Sequence, residues 1–157
     1  MLKVINPIMQ VQKFLAEVLR NEPWFEAHKV KIVEQNSQAL AFLLRTKLDE
    51  MKGVSLVIGV DGFGNAQTAL EMRITVACTE RVTINRATAG FATAIDVAQA
   101  AVQMFDGLKW MDTEQAFHFK DMVHESNREV DLLRATATFG VLVDRYNYDE
   151  RGIAHGE

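Results

Sequence analysis

The chain has 157 residues, of which 48% are hydrophobic and 24% charged, with a formal net charge of −4. Those values suit one globular domain spanning the whole chain with a proper core. The sequence has no run of about 18 apolar residues for a membrane helix, its start MLKVINPIMQVQKF lacks the apolar core of a leader, and the acidic balance argues weakly against general nucleic-acid binding, which needs clustered Lys and Arg.

The first element is a helix opened by Asn6 as N-cap and Pro7 at the first helical position. Ile8, Val11, Phe14, Leu15, Val18 and Leu19 form its apolar stripe. Asn21-Glu22-Pro23 ends it, with Trp24 and Phe25 packing back over its end. A short strand follows around Lys29 to Gln35. Ser37 is placed as N-cap of a second helix from Gln38 to Met51, buried along Leu40, Leu43, Leu44, Leu48 and Met51 and stopped at Gly53. Val54, Leu56, Ile58 and Val60 then alternate as a strand, and Asp61-Gly62-Phe63-Gly64-Asn65 reads as the turn of a hairpin.

The returning strand is the clearest element in the chain. Leu70, Met72, Ile74, Val76 and Cys78 fall on one parity, and Glu71, Arg73, Thr75 and Thr79 on the other. A polar corner, Asn85-Arg86, leads to a third helix over roughly Ala92 to Phe105. Thr93 and Asp96 form its capping box, and Ile95, Ala98, Val102 and Phe105 its buried face. Strands from Glu114 to Val123 and from Glu129 to Asp144 close the chain. In the latter Leu133, Ala135, Ala137, Phe139, Val141 and Val143 alternate with Arg134, Thr136 and Thr138. The tail from Tyr146 to Glu157 is expected to fray. The order predicts an α+β fold, a mostly antiparallel sheet with helices packed mainly on one face.

No catalytic or metal-binding set emerges. Gly59, Gly62 and Gly64 follow a strand as a dinucleotide loop should, but Gln67 stands at the third glycine position and no helix opens to receive a phosphate. His118, Lys120 and His124 share a parity, yet two histidines six residues apart on a strand cannot share a metal without a bulge. The single cysteine, Cys78, lies on the apolar parity and reads as an inert core thiol that forms no internal disulfide. Lys29 and Lys31 form too small a basic cluster to hold nucleic acid. The corner Asn85 and Arg86, the hairpin residues Asp61, Phe63 and Asn65, and Trp110 are the candidates for a subunit or partner surface, against the plain readings of a solvated corner, a simple turn and a core cap. On the surface reading Arg86→Ala weakens assembly and spares the fold.

The residues Met72-Arg-Ile-Thr-Val-Ala-Cys-Thr-Glu80, Val82-Thr-Ile-Asn85-Arg86, Ala87-Thr-Ala-Gly90, Ala94-Ile-Asp-Val-Ala-Gln-Ala-Ala101 and Gly107-Leu-Lys-Trp110 together resemble prophage-encoded tail-terminator and tail-completion proteins. The closing strand Arg134-Ala-Thr-Ala-Thr-Phe139 belongs to the same resemblance, which covers roughly Gly53 to Val143. It implies a non-enzymatic α+β subunit without cofactor. Such a subunit forms a homo-oligomeric ring, usually of six, that caps the tail tube and joins it to the head connector. It implies a place in the virion, with assembly in the bacterial cytoplasm, and no contact with membrane or with specific nucleic-acid sequence. The competing expectations are a small α+β enzyme or ligand-binding domain, and a chaperone or adaptor of tail assembly.

Overall fold

A computed structural model describes residues 7–45, 52–66, 69–87, 90–110 and 115–143. Helix α1 (Pro7–Arg20) buries Val11, Gln12, Leu15, Ala16 and Leu19. Phe14 and Val18 pack at the margin of the core. The helix ends before Asn21-Glu22-Pro23 as expected, and Pro23 then opens a second one, α2 (Pro23–Ala27), with Glu22 as N-cap. Proline suits a first turn because its missing N–H would have had no helical partner there.

Strand β1 (Lys31–Glu34) is followed by α3 (Gln38–Arg45). Leu40 and Leu43 are half-buried, while Leu44, Leu48 and Met51 lie outside the side chains described. The Ser37 hydroxyl donates to the Glu34 carbonyl at 2.7 Å. Strand β2 (Val54–Ala66) and strand β3 (Ala69–Arg81) pair antiparallel.

The expected turn at Asp61 to Asn65 is not a turn. Pairing continues through it to Ala66 opposite Ala69, and the register slips once between Val60 and Gly62. The segment is the outer half of a long hairpin arm, and the glycine beside Asp61 accommodates a bulge in place of a chain reversal. Continuous pairing to Met72 and Leu70 outweighs the local turn preference.

The corner after β3 is a short helix, α4 (Val82–Ala87), and the third expected helix is α5 (Ala94–Phe105). The capping box is present in both halves. Asp96 N donates to Thr93 Oγ1 at 3.2 Å, and Thr93 N donates to an Asp96 oxygen at 3.1 Å. The buried face is rotated from the expected one. Ala94, Val97, Ala98, Ala101 and Phe105 are buried, whereas Ile95 is 37% exposed and Val102 only half-buried. Alanines on the inner face let the helix approach the sheet closely, and that side won over the bulkier one.

Strand β4 (His118–Asn127) begins four residues later than expected, and β5 (Leu132–Val143) lies within its expected range. The sheet order is β1-β2-β3-β5-β4. Among the described strands β1 with β2 is parallel and the other pairs are antiparallel. The core face carries Leu56, Ile58, Met72, Ile74, Val76, Cys78, Ala135, Ala137, Phe139 and Val141, all packed in one cluster with α1 and α5. Both long alternating runs therefore face the core as their parity required.

The edge at β1 is covered by a side chain. Arg20 donates to both Glu34 carboxylate oxygens, at 2.9 and 3.1 Å, and to the Ile32 carbonyl at 2.9 Å. Such a fork occupies a backbone acceptor that another strand would need.

Val76 lies at the centre of β3 with none of its surface exposed. Val76→Asp places an unpaired carboxylate there, at a cost of roughly 4 kcal/mol or more. The variant is expected to lose its cooperative thermal transition by circular dichroism, while Thr75→Asp on the opposite face retains it.

Candidate functional site

Two surfaces carry residues singled out by sequence, and the structure adds a third. The first is the corner between β3 and α5. Glu80 continues the core parity of β3 and is fully buried, as is Asn85 to within 1%. The Asn85 amide donates to a Glu80 carboxylate oxygen and, at 2.9 Å, to the Ala92 carbonyl. Arg86 donates to the other Glu80 oxygen at 3.2 Å, with about half of its own side chain in solvent.

The expectation of an exposed Asn-Arg corner is thus corrected for Asn85. It turns inward, sits in helix α4 and not in a left-handed turn, and ties the chain to itself. Only the outer side of Arg86 reaches the surface. From the other side, Asp131 of the β4–β5 turn accepts from the Thr83 amide at 3.1 Å and from the Thr83 hydroxyl. The Thr83 hydroxyl, helped by the Thr83 amide and the nearby Arg81, holds the Asp131 carboxyl below the ordinary carboxylate range against the opposing effect of burial. Neither Glu80 nor Asp131 was singled out by sequence. The signal available was parity, since Glu80 follows Cys78 on the buried side.

The second surface is the hairpin arm. β1 pairs with β2 only from Ser55 to Ile58, so the outer half of β2 extends beyond it. Asp61 is exposed and Phe63 is 38% exposed. The Asn65 backbone pairs with Leu70, and its side chain lies outside those described.

The third surface was not anticipated. α2 and α5 flank a groove of about 640 Å³ whose apolar lining includes Trp24, Phe91, Ala100 and Met104. Trp24 packs against His28 with ring centroids 4.4 Å apart, and His28 Nδ1 lies 3.0 Å from the Gly90 carbonyl. Phe91 also borders an adjoining hollow with Lys29, Lys31, Lys52 and Glu26. Lys29 holds a left-handed backbone at φ 59°, and its carbonyl lies so close to Gly53, φ 78°, that a Cβ there would approach to 2.6 Å. Glycine at 53 is thus required, and the contact brings Lys52 beside the two lysines that sequence had set aside.

The remaining candidates separate. Trp110 is 1% exposed and belongs to the core, not to a surface. The loop around it is closed by Gly107 N to Phe117 O and Phe117 N to Leu108 O, both 2.8 Å. A bulge between Phe119 and Asp121 places His118 opposite Gly140 and His124 opposite Ala135, hence on opposite faces of the sheet. His118 and Lys120 instead gather around Glu71, with Lys120 Nζ 2.8 Å from its carboxylate. Among the described residues, no three His, Cys, Asp or Glu side chains converge as a metal site would need. Burial pushes the Cys78 thiol far up, away from thiolate chemistry. No described helix is long and apolar enough to cross a membrane.

No protein-family model and no curated protein sequence matches the chain. Among solved structures, its fold is similar to that of a chain in the virion of a native gene transfer agent particle. The likeness has a TM-score of 0.56 at 16% identity and covers 87% of this chain and 95% of that one.

The corner reverses the expectation that Arg86→Ala spares the fold. Removing Arg86 leaves the Glu80 carboxylate buried with, among the described residues, Asn85 to donate to it. The expected loss is about 2 kcal/mol, less than for a fully buried pair because Arg86 is half in water. In urea denaturation, Glu80→Gln combined with Arg86→Ala should recover part of that loss, since the amide needs no counter-charge.

Proposed function

We propose that this chain is a structural protein of a phage-like virion and, within that class, a tail terminator or tail-completion protein. The observation that carries the reading is the near full-length likeness of fold to a chain of a gene transfer agent virion. The resemblance of the β3, α4 and α5 residues to prophage tail-terminator proteins narrows it. The subunit forms a ring, six-fold in the family it resembles, which caps the tail tube and offers a surface to the head connector.

The role is not catalytic and uses neither metal nor nucleotide. Its work is done by shape and by complementary patches on successive copies. A net charge of −4 is compatible with passage of DNA through such a ring, because like charges do not trap phosphates.

Purified protein incubated with cognate tail tubes should appear by electron microscopy as extra density at one tube end, and tubes carrying it should stop elongating. Bare ends on tubes that elongate normally would reject the terminator role. In a thermal-shift panel, saturating nucleotides or divalent metals should change stability by less than about 1 kcal/mol.

A further inference from the structure

The hairpin arm and the α2–α5 groove lie at opposite ends of the subunit. Lys52 and Gly53 precede Val54, which pairs with Glu80, whereas Phe63 pairs with Met72. Eight residues of β3 separate the two levels, about 26 Å along the strand. An arm cannot reach the groove of its own chain, but the arm of another copy can.

The two ends are chemically matched. The arm offers an exposed acid, Asp61, two residues before a part-exposed aromatic, Phe63. The groove offers an aromatic and methionine lining, Trp24, Phe91 and Met104, of a size that admits a phenyl ring. The adjoining hollow carries Lys29, Lys31 and Lys52 with one carboxylate, Glu26, while Glu22 and Asp96 line the groove itself. All three lysines are exposed, and they gather in a chain whose overall charge is negative. Phe91 borders both, so the groove and the basic hollow are continuous.

We propose that the arm of one copy docks in the groove of the next, with Phe63 against Trp24, Phe91 and Met104 and Asp61 among the lysines of the adjoining hollow. This deepens the ring reading and rests on it for its biological meaning. The contact is heterologous, since each copy uses one end to give and the other to receive. A heterologous contact closes into a ring when its rotation allows. The three lysines of that hollow also favour encounter with Asp61 in this orientation.

The test uses the full chain and two single-cysteine variants. Gly64→Cys stands beside Phe63, where an added Cβ meets open space. Gln99→Cys stands on the exposed wall of the groove. The native Cys78 is buried and does not compete. With a short bismaleimide reagent, a mixture of the two variants should give cross-linked pairs, and neither variant alone should. In sedimentation velocity, Phe63→Ser should weaken self-association roughly tenfold. Asp61→Lys and Lys52→Asp should each weaken it, and the two together in one chain should restore it.

Cross-linking of Gly64→Cys with itself, no cross-link in the mixture, or no rescue by the charge exchange would overturn the proposal. So would saturable binding of duplex DNA, lost in Lys52→Asp, in a chain that does not self-associate. The tube-capping experiment is separate. Mixed cross-links without capping would keep the contact and remove the terminator role, and capping without them would do the reverse.

Discussion

A carboxylate with none of its surface in water is stable only if the groups around it are built to receive it. Glu80 imposes that condition on the centre of this fold. It ends the core side of β3, and its two oxygens are met by Asn85 and Arg86 from the helix that follows. Asn85 also donates to the Ala92 carbonyl just before α5. One buried acid thus fixes the angle at which the chain leaves the sheet and the point at which the next helix begins. The groove between α2 and α5 depends on that placement, because Gly90, Phe91 and Ala92 form part of its wall.

The sheet was legible wherever one face is buried and the other wet. Met72, Ile74, Val76, Ala137, Phe139 and Val141 declare their direction by alternation, and a slip of one residue would expose them all. The capping box at Thr93 and Asp96 was equally plain, since it is a bond between near neighbours in sequence. Legibility failed where distant parts of the chain decide. Glycines around Asp61 suit a turn or a bulge equally well, and only pairing with β3 chooses. α5 could have buried Ile95 or Ala94, and the depth of the sheet's surface selects the smaller residue. The bulge in β4 that parts His118 from His124 has no local signature.

Of the candidate surface, the sequence reached one half. Asp61 and Phe63 are exposed on the arm, while Asn85 and Trp110 proved to be internal. The receiving half was hidden because its members come from α2, α5 and both sides of the β1–β2 connection. Lys52 reaches Lys29 only because Gly53 lets two backbones nearly touch. No pattern along the chain records such a contact.

The Arg20 fork on β1 bears on how the protein behaves when crowded. A sheet with two open borders invites copy after copy to add sideways, as fibrils do. Here one border is already occupied by a guanidinium that holds the Ile32 carbonyl. Beyond that fork the outer half of β2 extends past β1, so sideways addition on this side would have to begin at the arm.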